Sequence, residues 1–285
     1  MPNSTFTGTK SRPVLQIRGA TQREQPDLVA CEEPLEIKLA YGPADDRQHR
    51  SLAVTMRTPG QDPELAVGFL FTEGIIGKAA EVAGTRHVGQ ALSPESAENI
   101  LQVELTPELP VDFNQLNRHF YTSSSCGVCG KASIEMVRTV NIYYPRRGQP
   151  RFSVDQLRSF PAQLSAQQSL FEKTGGIHAA AAFSSDGQLK ALREDVGRHN
   201  AMDKLIGAAL MSGDFPLRDH AVMVSGRLSF ELVQKASMAG VPMLVAVGAP
   251  SSLAIELAEE NGMTLIGFLR GERFNVYCGA ERIAF

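Results

Sequence analysis

The run Ser123–Gly130, Ser-Ser-Ser-Cys-Gly-Val-Cys-Gly, holds two thiols, Cys126 and Cys129, three positions apart. Thiols at this spacing serve three kinds of chemistry: a redox couple, half of a metal site, or a relay for sulfur. Gly127 and Gly130 follow the two cysteines, and glycine reaches positive φ at little cost, so the segment reads as a loop. Such a loop presents a thiol to a partner and is poorly built to bury one.

Each chemistry asks for different neighbours. Structural zinc wants four ligands, and Cys31 and Cys278 lie far away in sequence with no His or Cys beside them. A deaminase-type zinc wants His-x-Glu on one helix and Pro-Cys-x-x-Cys on the next. Here a helix start reads His199-Asn200-Ala201, without the glutamate, and no C-x-x-C lies downstream. A thioredoxin-like couple sets its first cysteine at a helix N-terminus. Serines precede Cys126 instead, and the two glycines weaken a helix across the pair. Sulfur relay fits better: a thiolate attacks a partner's persulfide, carries the terminal sulfur and yields it to an acceptor, with the second thiol assisting or resolving. Lys131 is the adjacent cation that would lower a thiol pKa.

A second kind of chemistry sits at the ends of strands. From Ala221 the chain alternates strand and helix: Ala221–Val224, Phe230–Ala239, Met243–Val247, Leu253–Glu260, Leu265–Leu269, with a last strand at Phe274–Cys278. This pattern predicts βαβ units on a largely parallel sheet covered by helices. Open α/β sheets bind ligands outside the carboxyl ends of their strands. Those ends are Ser225-Gly226-Arg227, Gly248–Ser252 and Arg270-Gly271-Glu272-Arg273. The first two open into helices, whose free N–H groups favour an anion. The third adds two guanidinium groups that can hold phosphate. Phosphate attached to a polar base or a pterin is the natural ligand; the plainer alternative is that the serines only cap helices and the arginines are solvated.

Two other polar features have both bland and sharp readings. Arg193–Asn200 (Arg-Glu-Asp-Val-Gly-Arg-His-Asn) is either a capped helix with a surface ion-pair network or a polar wall of the same cleft. His178, after Gly175-Gly176 and before an alanine-rich strand, reads first as a partly buried, hydrogen-bonded core histidine and second as a catalytic one.

The elements that must position these groups are an α/β set. Residues 1–12 are polar and expected to be disordered. Residues 13–145 are expected to form an N-terminal α+β domain ending in the cysteine loop at 123–130. Its strands are Pro34–Tyr41, Ser51–Arg57 and Asn99–Thr106, and Asp62 caps a helix with Pro63 at its first position. Short helices are expected at Val111–Phe120 and Lys131–Val140. Tyr144–Pro150 bounds a second domain, 146–285, which opens with a helix at Ala162–Lys173 and strands His178–Phe183 and Leu189–Arg193. A turn at Ser185-Asp186-Gly187 joins those strands, and a helix at His199–Leu210 follows.

Composition bounds the rest. The 285 residues are 43% hydrophobic and 21% charged with net charge −3, ordinary for a soluble globular protein. That balance exerts no global pull toward nucleic acid or anionic membrane. The N-terminus lacks the apolar stretch of a signal peptide and no apolar run is long enough to span a bilayer. Of four cysteines only two cluster, so the chain reads as cytoplasmic with reduced thiols.

Taken together the motifs resemble the formate dehydrogenase accessory sulfurtransferases, the FdhD family. The resemblance runs through Glu33-Pro34-Leu35, Met56–Gly60, Gly68–Gly74, Ser124–Gly130, Thr174–His178, Arg193–Asn200, Ser225-Gly226-Arg227 and Phe268–Gly271. It implies a cytoplasmic sulfur carrier that accepts sulfur from a cysteine desulfurase. The sulfur goes to the molybdenum (or tungsten) bis-molybdopterin guanine dinucleotide cofactor, bound as substrate, before insertion into formate dehydrogenase. By that correspondence Cys126 bears the persulfide with Cys129 as its partner, and Phe268, Leu269, Arg270, Gly271, Glu272 and Arg273 bind the cofactor. The resemblance also implies a homodimer and a cytidine-deaminase-like C-terminal domain, a mixed sheet with helices on both faces, without a resident metal. Two alternatives stay open: a cofactor chaperone that transfers no sulfur, and a zinc-dependent deaminase-like enzyme.

Overall fold

A computed structural model describes residues 8–89, 96–111 and 142–285. The loop carrying Cys126 and Cys129, with the helices expected on either side of it, lies outside the described residues.

The chain enters through a hairpin of β1 (Thr9–Arg18) and β2 (Thr21–Ala30), turning at Gly19 with φ 58°. The expected disordered tail is therefore corrected at its end: Thr9–Arg12 pair with Asp27–Ala30. A two-stranded ribbon bathed in water on both faces needs no apolar alternation, so period-two reading passes over it. Strands β3 (Glu33–Tyr41), β4 (Gln48–Arg57), β5 (Val82–His87) and β6 (Ile100–Leu105) form a sheet in the order β4-β3-β6-β5.

Helix α1 (Asp62–Thr72) packs on that sheet, with Leu65, Ala66 and Leu70 meeting Leu35, Ile37, Leu39, Leu101 and Val103 in one core. Its cap differs from expectation. Gln61, at φ 54°, precedes the helix, and Asp62 lies in the first turn. The Asp62 carboxylate is not free to cap because it receives Nε and Nη2 of buried Arg57 at 3.0 and 2.9 Å.

Strand β7 (Phe152–Ser153) leads into α2 (Val154–Gln167), which begins eight positions before the expected Ala162, and α3 (Ser169–Thr174) follows. Pro161 inside α2 masks the first half of the helix from pattern reading. The signal that could have found it is the reciprocal capping of Ser153 and Gln156.

The remaining elements are β8 (His178–Ser184), β9 (Leu189–Asp195), α4 (Arg198–Ser212), β10 (His220–Val224), α5 (Phe230–Met238), β11 (Met243–Ala246), α6 (Ser252–Glu260), β12 (Thr264–Arg270), β13 (Arg273–Cys278) and β14 (Ile283–Ala284). Six of these strands make a sheet in the order β13-β12-β11-β10-β8-β9, while β14 pairs with β7. Only β10, β11 and β12 run parallel to one another; β8, β9 and β13 join antiparallel. The sheet is mixed rather than largely parallel. The short β8–β9 and β12–β13 connections are hairpins, which cannot make parallel pairs.

Side chains alternate cleanly across this sheet. Ala180, Ala182, Val222, Val224 and Leu244 face α4, α5 and α6, whereas Ala181, Phe183, Met223, Val245 and Ile266 face Leu157, Phe160 and Leu164 of α2. The first core continues without a break into α1 and the smaller sheet. Helices α1 and α4 meet at Gly68 and Gly207, so closely that a Cβ on either would fall inside backbone of the other helix.

Candidate functional site

The carboxyl ends of β10, β11 and β12 form one stitched edge. Gly248 N donates to Gly226 O at 3.1 Å, and Phe268 N donates to Gly248 O at 3.1 Å. Leu228 N reaches Ala249 O at 3.1 Å and Ser251 N reaches Leu228 O at 3.0 Å. A Cβ on Gly248 would lie 2.8 Å from Gly226 O and 3.1 Å from the Cα of Arg227, so only glycine allows the first two loops to touch. The three segments singled out from sequence are thus brought together.

The third segment carries an unusual backbone. Phe268 adopts φ 56° at a register shift between β12 and β13, a conformation that a bulky side chain rarely takes. Phe268 is 37% exposed on the edge. Leu269, by contrast, is fully buried against Leu164, so only its backbone can face a ligand. Arg270 is exposed, and its Nε donates to Val247 O at 3.2 Å. Gly271, at φ 54°, and Glu272 make the turn back to Arg273. The Glu272 carboxylate pairs with Arg158 at 3.1 Å and so points away from an anion role. Exposed Arg227, Arg270 and Arg273 are the cations of this edge among the described residues.

Beside the edge, between α2 and the ends of β10 and β11, lies a cleft of about 480 Å³. Ser225, His178, Gln168 and Val247 line it. Ser225 Oγ accepts from Ala179 N at 2.9 Å, and the His178 ring lies against Gly226. Burial, then the nearby charges of Arg198 and His199, push the His178 pKa below its ordinary value, which keeps the imidazole neutral. His178 is half-buried in the wall of the cleft, which agrees with its reading as a partly buried histidine and places it beside the strand-end edge. Gln168 was not anticipated, since a lone glutamine between two helices carries no local signal.

The Arg193–Asn200 segment takes neither of its expected roles in full. Glu194 accepts from Leu170 N and Phe171 N at 3.0 and 2.9 Å, which fills the N-terminus of α3 with a carboxylate. Asp195 and Lys204, both with no exposed side-chain surface, pair at 2.8 Å. Asp195 also receives Thr58 N, Gly197 N and Asn200 Nδ2, and Lys204 donates to Thr58 O at 2.8 Å. Arg193 holds Glu64 of α1 through two hydrogen bonds. These groups lock the smaller sheet and α1 to the larger sheet. His199 donates instead to Glu231 at 2.8 Å, and that hydrogen bond holds the Glu231 carboxyl below its ordinary pKa.

Of the four cysteines, Cys31 is 2% exposed. Cys278 donates to Met263 O at 3.4 Å, and burial pushes its thiol up to about 11. Burial keeps Cys31 from a partner protein, and Cys278 offers no thiolate near neutral pH. Cys126 and Cys129 lie outside the described residues. Among the described residues no three His, Cys, Asp or Glu side chains gather as metal ligands, and no helix is long and apolar enough to cross a membrane.

The sequence profile of the FdhD/NarQ family matches residues 30–284. The chain belongs to the FdhD/NarQ family. Among FdhD relatives, the sulfur carrier protein FdhD of Streptomyces avermitilis is 48% identical over 278 residues, covering 97% of this chain and 96% of the relative. The sulfur carrier protein FdhD of Sulfurisphaera tokodaii is 43% identical over 270 residues, covering 95% of this chain and 97% of the relative. The crystal structure of a proposed formate dehydrogenase accessory protein from Desulfotalea psychrophila superposes with a TM-score of 0.71 at 26% identity, over 97% of this chain and 99% of that one. The architecture is thus the mixed α+β fold that the family resemblance implied, in place of the largely parallel sheet read from the alternation of strand and helix.

Proposed function

We propose that this chain is a sulfurtransferase of formate dehydrogenase maturation. It takes sulfur from the persulfide of a cysteine desulfurase and delivers it to the molybdenum bis-molybdopterin guanine dinucleotide cofactor, held as substrate at Phe268–Arg273. The observation that carries the reading is the stitched strand-end edge. Exposed Phe268, with its strained backbone, shares this edge of the sheet with exposed Arg227, Arg270 and Arg273, groups suited to a phosphate bearing a planar ring. Family membership supports the sulfur half of the reading. So does the state of the other thiols, because Cys31 and Cys278 are disqualified by burial.

The transfer balances as follows. The Cys126 thiolate attacks the outer sulfur of the donor persulfide, a new S–S bond forms, and the donor cysteine leaves as thiolate. Attack of the Cys129 thiolate on the inner sulfur of the Cys126 persulfide expels HS⁻, the sulfide equivalent that the metal centre takes up. A Cys126–Cys129 disulfide remains, and an external dithiol reduces it to reset the pair.

The test is incubation with a cysteine desulfurase and cysteine, followed by mass spectrometry of the peptide containing Cys126 and Cys129. A cyanide-labile gain of one sulfur is expected. A peptide without that adduct, from a desulfurase shown to be active, would leave the chain as a cofactor chaperone only.

A further inference from the structure

Arg158 of α2 reaches across to the turn that joins Arg270 to Arg273. Its Nη1 lies 3.1 Å from Glu272 Oε2, and its Nη2 donates to Glu272 O at 3.4 Å. One guanidinium thus holds both the side chain and the backbone of Glu272. Asp155, one turn back on α2, lies 3.7 Å from the same Nη1. The Nε of Arg158 is buried and has no hydrogen-bond partner among the described residues, a cost that calls for an explanation.

Packing does not fix this turn. At Gly271 nothing lies within 4 Å of where a Cβ would stand. The turn borders an open groove of about 490 Å³, lined by Val154, Arg158, Phe274 and Val276 among others. Nor does stability explain the pair. The Glu272 and Arg158 side chains are 85% and 37% exposed, and ion pairs so placed add little to folding.

Charge does explain it. Arg270 and Arg273 sit opposite each other where β12 and β13 end and begin, and Glu272 carries the one negative side chain of Phe268–Arg273. A carboxylate offers a guanidinium the same paired oxygens as a phosphate, so an unheld Glu272 would compete for both arginines and repel an incoming anion. Held on Arg158, it does neither.

We propose that Arg158 is a positioning residue of the anion site. It binds the Glu272 carboxylate and thereby leaves Arg270 and Arg273 to the phosphates of the ligand, without touching the ligand itself. The proposal deepens the reading of Phe268–Arg273 as the cofactor segment and rests on it.

Calorimetric titration of the full chain with inorganic pyrophosphate and with GDP tests the two separately. Arg158→Ala should weaken both probes by about threefold or more at low salt and leave the thermal midpoint unchanged. The deficit should shrink in about 0.5 M sodium chloride, where exposed charges are screened. Arg158→Ala combined with Glu272→Gln should bind as tightly as the parent, because the freed carboxylate is gone. A merely structural support, or a guanidinium that contacts the ligand, would not be rescued in this way, so a double variant as weak as Arg158→Ala overturns the proposal. Parent-like binding by Arg158→Ala, with loss in Arg270→Ala, also overturns it and spares the cofactor segment. Parent-like binding by Arg270→Ala, or no binding of either probe to the parent, overturns the segment and the role of Arg158 together.

Discussion

Gly68 of α1 and Gly207 of α4 cross backbone to backbone: a Cβ on Gly68 would lie 1.9 Å from Asp203 O, and one on Gly207 would lie 1.8 Å from Glu64 O. No side chain can yield there, because the clashing atoms are main chain. The crossing is what lets the half of the molecule around α1 close on the sheet that carries the strand-end edge. Gly207→Ala should therefore destabilise the protein by about 3 kcal/mol or more, at the upper end for overpacking. Urea denaturation of the variant checks this; an unchanged midpoint would refute so close a crossing.

The Asp195–Lys204 pair is buried without exposed side-chain surface, and each partner has further hydrogen bonds to Thr58. Lys204→Met strands a buried carboxylate and should cost about 3–5 kcal/mol. Lys204→Met combined with Asp195→Asn should recover part of that loss. Chemical denaturation of the two singles and the double gives the coupling, and strict additivity would show that the pair does not interact.

Asp62 sets an acid limit. Burial alone would raise its pKa, but hydrogen bonds from His87 and Arg57 outweigh this and hold it below the ordinary 3.8. A carboxyl depressed in the folded state stabilises the protein fully above its unfolded value and loses that contribution as pH falls through the folded one. Stability should thus fall below about pH 4, and Asp62→Asn should flatten that part of the profile while lowering stability at pH 7. Thermal melts between pH 2.5 and 7 provide the comparison.

Thiol reactivity should divide the cysteines. With Cys31 buried and the Cys278 thiol at about 11, iodoacetamide at pH 7.5 should label Cys126 and Cys129 in the native protein and reach the other two only after unfolding. Peptide mapping reads the result directly. Rapid native labelling of Cys278 would remove the argument that burial disqualifies it as a carrier.

Phe268 holds an αL backbone that costs about 1–2 kcal/mol for a residue with a side chain. Phe268→Gly relieves that strain and loses a partly exposed ring, so the thermal midpoint should move by only a few degrees. GDP binding should nonetheless weaken severalfold if the ring is a stacking surface. Equal affinity in the two proteins assigns the strain to something other than ligand binding.

Local spacing made much of this protein readable before folding. The pair Cys126–Cys129, the alternation from Ala221 onward, and the glycines and arginines at strand ends are patterns of a few neighbouring residues, and their consequences follow from backbone geometry and thiol chemistry. Other features have no local trace. Asp195 meets Thr58 across 137 positions and Thr55 meets Asn200 across 145, so a dense polar run that reads as a surface network becomes a buried lock. The β1–β2 hairpin lacks a buried face to print period two on the chain, and Pro161 hides the start of α2. The Gln168 amide, whose Nε2 has no hydrogen-bond partner among the described residues, is buried only because α2 and the ends of β10 and β11 close around it. Residue type and spacing decide which chemistry is available, whereas burial and partnership, which set a group's charge and its need for a ligand, arise only when distant segments meet.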